Sequence, residues 1–186
     1  MIWGGVFIFP NTLDRAKILY YSGKILNAFE ILSNLSIEKM NFEEKKWFGR
    51  INSELGNHKR ANEILLSLSP LKNQKELGVL FLRNLYRWQL CSQAILYIDK
   101  FDLSTPSFYE VCGDIYLAKR KYEEATAYYI QAYEIGDRKD YILYKLAKVY
   151  YLNKDKKNTK KCLDMALKIT KSRMLKINLV KFGELL

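Results

Sequence analysis

The residues able to do chemistry in this chain are few and scattered. His58 is the sole histidine, and it stands in "LGNHKRA", a stretch that reads as the turn between two helices. A lone imidazole has no second histidine with which to form a catalytic pair or a multi-histidine metal site, so His58 reads as structural. Cys91, Cys112 and Cys162 are odd in number, far apart and in no CxxC pairing. That spacing argues against a disulfide framework or a zinc site and fits a reducing compartment. Cys112 falls on the internal face of its helix, where a thiol behaves as a small hydrophobe rather than a nucleophile. The carboxylate pairs Glu43-Glu44 and Glu123-Glu124 begin helices, where negative charge meets the positive end of the helix dipole. Gly4-Gly5 leads into no GKS or GxGxxG phosphate loop. No reaction is suggested, and the chain is expected to be a non-enzyme with no cofactor and no metal.

The elements that would position these residues are helices. Only 3 prolines occur in 186 residues, and apolar residues recur at helical spacing almost throughout, without the alternation of a strand. An apolar share of 49% against 27% charged gives ample material for a packed interior. The formal charge of +11 favours acidic partners such as nucleic acid, anionic lipid surfaces or acidic peptides. The opening "MIWGGVFIFP" is apolar but lacks a basic leading segment and is too short to span a bilayer. Residues 1–11 are therefore expected to form a sticky arm on a cytoplasmic, soluble protein with no membrane span. The arm would dock on its own first helix, pack in a homodimer, or touch a membrane or partner.

The helices repeat. Ala28, Ala61, Ala94, Ala125 and Thr159 are separated by 33, 33, 31 and 34 residues, each early in the second helix of a predicted hairpin. A small side chain there lets two antiparallel helices approach closely. Four residues after each comes a large apolar group, Leu32, Leu65, Ile98, Tyr129 or Leu163, expected to fill the gap between one hairpin and the next. Asn41 before Phe42-Glu43-Glu44 predicts a capping box, and Thr105 before Pro106 predicts a cap with proline in the first turn.

Tyr109, Cys112, Gly113 and Tyr116, followed by Ala125, Tyr129 and Ala132, resemble the tetratricopeptide repeat pattern W-x2-L-G-x2-Y, then A-x3-F and a later alanine. Leu143, Leu146, Ala147, Tyr150, Thr159, Leu163 and Ala166 give a second copy, and Phe48, Gly49, Ala61, Leu65 and Leu68 an earlier one. Ala16, Leu19, Ala28 and Leu32, and then Phe81, Leu82, Leu85, Ala94 and Ile98, follow the period more loosely. Pro70 lies near the place of the family's closing proline, whereas Asp137 stands there in the best copy. The resemblance implies an all-α, right-handed superhelical solenoid of about five hairpins over residues 12–171. Residues 172–186 would add a capping helix striped by Leu175, Leu179, Phe182 and Leu186.

The resemblance further implies a concave groove lined by the first helices, which holds a peptide. The first-helix faces not used for packing give Lys17, Tyr20 and Tyr21, then Lys46 and Arg50, then Arg83, Tyr86 and Arg87. They continue with Glu110 and Asp114, and with Tyr141, Tyr144, Lys148 and Tyr151. Arginine and tyrosine dominate binding hot spots, so the expected partner is a protein or peptide segment, acidic and aromatic-containing. Glu110 and Asp114 are expected to receive a lysine or arginine of that ligand. Chaperone-binding members grip a C-terminal carboxylate with lysine and asparagine at set places. Here Lys46 and Arg50 fill the first pair of places, the asparagine is missing and Leu80 stands where the next repeat should supply another, so no EEVD-type tail is implied. The basic run from Lys154 to Lys181 is a second surface, read as a solvated face or as a phosphate-tracking surface for nucleic acid. The reading is thus a peptide-binding scaffold or adaptor, with self-association through the terminal elements as the rival and nucleic-acid binding third.

Overall fold

The computed structural model describes residues 11–68, 75–101 and 103–185. The apolar arm from Met1 to Pro10, as well as Pro70 and Leu186, lie outside them. Among the described residues the regular structure is all helical: α1 (Thr12–Tyr21), α2 (Ile25–Ser33), α3 (Phe42–Glu54), α4 (His58–Leu66), α5 (Lys75–Arg87) and α6 (Cys91–Ile98). There follow α7 (Pro106–Ala118), α8 (Tyr122–Ile135), α9 (Lys139–Leu152), α10 (Lys156–Ile169) and α11 (Arg173–Gly183), with one 3-10 turn at Ile37–Lys39. No described helix is long and apolar enough to cross a membrane. The chain gathers into two compact units, Met1–Leu71 and Lys72–Leu186. Within them consecutive helices pack as antiparallel hairpins, α1 with α2 and α3 with α4 in the first unit, and α5 with α6, α7 with α8 and α9 with α10 in the second.

Helix starts follow the sequence. Asn41 and Glu44 form the reciprocal capping box, each side chain bonding the other's backbone N–H at 3.0 and 2.9 Å. The Thr105 hydroxyl accepts from the Phe108 N–H at 3.2 Å, with Pro106 in the first turn. Ser172 caps α11 in the same way through Leu175. His58 opens α4, half-buried.

The turn inside each hairpin is one motif used again and again. Gly23, Gly56, Gln89, Arg120 and Lys154 have φ of 79, 83, 60, 58 and 62°. The N–H of the residue after each closes back on the first helix: Lys24 on the Leu19 carbonyl, Asn57 on Asn52, Leu90 on Leu85, Lys121 on Tyr116 and Asp155 on Tyr150, at 2.8 to 3.0 Å. This is the Schellman bond that satisfies an end-of-helix carbonyl, and it needs a left-handed residue just past the helix. Each of these residues precedes the small residue of the second helix by five, so turn and close approach share one register.

The small residues Ala28, Ala61, Ala94, Ala125 and Thr159 are all fully buried. The large group four residues on is buried too, but its contacts correct one expectation. Leu65 and Tyr129 pack back onto the first helix of their own hairpins rather than only toward the next one. A Cβ built on Gly49 would stand 3.0 Å from Leu65 Cδ2, and one on Gly113 would stand 2.5 to 2.8 Å from three carbons of the Tyr129 ring. The glycine in the first helix leaves the slot that this side chain fills.

The left-handed turns give a paired prediction. Nothing lies within 4 Å of a Cβ added at Gly56, so Gly56→Ala acts through backbone strain alone and is expected to cost about 1 kcal/mol. Arg120→Gly removes the same strain and is expected to add up to about 1 kcal/mol. Urea unfolding midpoints that move in the same direction for both variants would contradict this account of the turns.

Candidate functional site

In the first unit the predicted surface converges on a residue the sequence reading passed over, Trp47. Its indole, 8% exposed, meets Tyr20 and Tyr21 edge to face at 5.4 and 5.6 Å, and those two rings meet each other at 5.6 Å. Lys17 Nζ and the Arg50 guanidinium lie 5.7 and 5.3 Å from the indole centroid, within cation–π reach. Burial, the nearby Glu54 carboxylate and the neighbouring Tyr21 raise the Tyr20 pKa against the pull of Arg50, so its hydroxyl stays a neutral donor. Lys46 is turned elsewhere, pairing with Glu43 at 2.6 Å. In the family frame read from Phe48-Gly49, Trp47 falls on an unspecified position just before Phe48, so the pattern carried no signal for it; a tryptophan between Lys46 and the nearby Arg50 was the available one.

In the second unit the predicted residues divide between two centres. The first is Lys145, also absent from the sequence reading. Its ammonium lies 2.6 Å from both Asp114 carboxylate oxygens and 3.1 Å from Glu110 Oε1, with the Tyr129 hydroxyl donating to the same Asp114. The Lys145 side chain is 11% exposed, and the Tyr129 and Tyr141 rings stand 5.7 and 5.1 Å from its ammonium. Burial pulls the lysine pKa down, but Asp114 and then Glu110 outweigh it, and it ends above the ordinary value. Burial above all, reinforced by Asp114, pushes the Tyr129 pKa up. Glu110 and Asp114 were expected to receive a cation of the ligand; the chain supplies that cation itself. Tyr86 is drawn into the same field, its pKa raised by burial first and by Asp114 next. Arg83 is half-buried on α5 and Arg87 is exposed in its last turn.

The second centre is a cleft between α9 and α11. Tyr144, Lys148 and Tyr151 from the predicted set line it together with Leu117, Leu152, Asn178, Lys181, Phe182 and Leu185, enclosing about 460 Å³. Phe182 meets Tyr151 at 5.3 Å and Tyr144 at 6.1 Å, both edge to face, so α11 forms a wall of the cleft. Lys148 lies 4.3 Å from the Tyr144 centroid. Neither Lys148 nor Lys181 forms an ion pair among the described residues. No three His, Cys, Asp or Glu side chains come together among them as a metal site would need.

No protein-family model and no curated protein matches the chain. Solved structures do. MamA residues 41 to the end from Desulfovibrio magneticus RS-1 superposes with a TM-score of 0.76 at 15% identity, covering 88% of this chain and 98% of that one. YrrB, a TPR protein with an unusual peptide-binding site, gives 0.69 at 14% identity over 91% and 90%. TTC0263, a thermophilic TPR protein in Thermus thermophilus, gives 0.66 at 18% identity over 92% and 96%. The fold is that of the tetratricopeptide-repeat solenoids.

Two outcomes follow from the Lys145 centre. Lys145→Met leaves two part-buried carboxylates facing each other and is expected to cost about 2–4 kcal/mol, while Asp114→Asn placed on top of it costs less than Asp114→Asn alone. A urea double-mutant cycle with no coupling would remove the network from the account. Folding also raises the affinity of both Lys145 and Tyr129 for their protons. Unfolding therefore releases protons above the unfolded values near pH ~10, and the stability these groups contribute is full below that pH and falls as pH rises beyond it. Unfolding midpoints read from pH ~9 to pH ~11.5 are expected to drop more for the native chain than for a Lys145→Met, Tyr129→Phe variant.

Proposed function

We propose that the chain is a non-enzymatic protein-interaction scaffold that captures an acidic peptide segment carrying a bulky aromatic or aliphatic side chain. The observation that carries this reading is the α9–α11 cleft. Its floor is aromatic and aliphatic, and its rim holds two lysines that no carboxylate among the described residues neutralises. An apolar side chain entering it gains burial, and acidic residues on either side meet Lys148 and Lys181. Binding sites of this kind combine an apolar pocket with a few placed charges.

Lys17, Tyr20 and Arg50 around Trp47 offer the same chemistry on the first unit: a broad aromatic surface with cations held over it. Arg83, Tyr86, Arg87 and Tyr141, which do not line the cleft, are also assigned to ligand contact. Glu110 and Asp114 have a different part, holding Lys145 and with it the face of α9 that carries Tyr144, Lys148 and Tyr151. The fold agrees with such a role, since YrrB, which shares it, is a peptide-binding protein.

Selection from a display library of twelve-residue peptides tests the reading. Enriched sequences are expected to combine Asp or Glu with Phe, Tyr, Trp or Leu, and their affinity is expected to fall about tenfold with Lys148→Glu and with Phe182→Ala. Enrichment of basic peptides, or affinities that neither substitution changes, would sink the proposal.

A further inference from the structure

Helices α10 and α11 carry a feature that peptide capture does not use. From Lys154 to Lys181 stand ten lysines and arginines against two acids, Asp155 and Asp164. Lys160, Lys161, Lys168, Lys171, Arg173 and Lys176 form no ion pair among the described residues. Five lysines of α10 line one shallow concavity of about 600 Å³ with Asp164 and Met165.

Large apolar side chains stand out of the same two helices. Met165 and Ile169 on α10 are 36% and 48% exposed, and Met174, Ile177 and Val180 on α11 are 68%, 40% and 47% exposed. On α11, Leu175 and Leu179 are buried, while Met174, Ile177 and Val180 recur every three residues on the side turned away from them. A surface that tracks nucleic acid interleaves its cations with arginine and stacking rings; here Arg173 is the single arginine and no aromatic residue occurs between Lys154 and Lys181. Dense lysine beside protruding Met, Ile and Val matches an interface that is anionic at its surface and apolar just beneath. The long lysine stems can lie along apolar groups while their ammonium heads stay with the anions.

We infer that the α10–α11 face docks on an anionic lipid bilayer. Lysines of α10 and Lys176 of α11 pair with headgroup anions, and Met174, Ile177 and Val180 enter the headgroup–acyl boundary. The contact is interfacial, since no described helix can cross a membrane. It is independent of the peptide cleft.

The test is flotation of the full chain with vesicles of phosphatidylcholine alone or with about 30 mol% phosphatidylglycerol, at about 100 mM salt. Two variants change exposed residues only: Lys160→Glu, Lys168→Glu, Lys176→Glu in one, and Ile177→Ser, Val180→Ser in the other, with retained helicity checked by circular dichroism. The native chain is expected to float with the anionic vesicles and not the neutral ones. The first variant should lose at least about tenfold in partitioning, and the second about fivefold at unchanged charge. Lys148→Glu in the cleft should leave most of the partitioning in place, whether or not it abolishes peptide binding. No flotation with anionic vesicles overturns the inference. So does flotation that Ile177→Ser, Val180→Ser leaves unchanged while a duplex oligonucleotide binds more tightly than the vesicles, because the face is then a general polyanion surface. A dimer that the same variant dissolves, with no vesicle binding, overturns it too and assigns the face to a second copy of the chain.

Discussion

The missing side chain at Gly113 sets the distance on which the second unit depends. Without a Cβ there, the Tyr129 ring lies directly against α7, and its hydroxyl comes within reach of Asp114, one residue along the same helix. Asp114, held from one side by that phenol, holds Lys145 of α9 from the other. A close helix approach within one hairpin thus becomes a charged tie to the next, and it acts with the buried Ile142, Leu143, Leu146, Ala147 and Val149 to hold the rotation of α9. That rotation decides which side chains α9 presents to α11. Replacing the glycine would trade a gain in helix propensity of about 1 kcal/mol against overpacking a ring with no room to move, which costs about 1–3 kcal/mol. The helix former loses, which is the physical reason a glycine sits in the middle of α7.

The same tie sorts the charges. Glu110 and Asp114 are the only acids in the predicted binding set, and both are consumed by Lys145. What remains on the first-helix faces is cationic and aromatic: Arg50 and Lys17 over Trp47, Lys148 over Tyr144, Arg138 over Tyr141. Cations resting on ring faces are partly desolvated and held in place, so they meet an incoming carboxylate with less side-chain entropy to lose than free surface lysines would. Internal pairing and surface basicity are two results of one arrangement.

Much of this was legible before any coordinates. The spacing of Ala28, Ala61, Ala94, Ala125 and Thr159 gave the hairpins because a small residue at a helix crossing has no substitute. Asn41 and Thr105 gave two helix starts because side-chain caps act locally. The turns were hidden: three of the five left-handed positions are Gln89, Arg120 and Lys154, residues that carry no conformational signature. Lys145 was hidden because a pairing between first helices exists only once the helices are placed. Its separation from Asp114, 31 residues, differs from the 34 that relate Ala125 and Thr159 in the same two hairpins, so the period did not point to it. Asn178, Lys181 and Leu185 were missed, and Phe182 was given only a packing part, because the last helix was read by its buried stripe and its second face was not considered; Leu117 was missed because it lies on α7, away from α11 in sequence.

That second face leads to a distinction between the two basic surfaces of the unit. In the cleft, two lysines stand at the rim of an apolar floor, so a ligand of the proposed kind would gain most of its binding free energy by burying its side chain, and the charges would select it. On the outward side of α10 and α11 many cations act together and the apolar groups are thinly spread, so attraction is long-range, cumulative and sensitive to salt. A single acidic peptide offers too few charges to hold the second surface, and a bilayer is too broad to enter the first. On the two proposals together, one excess of positive charge would serve two partners without confusing them, because shape separates what charge alone would not.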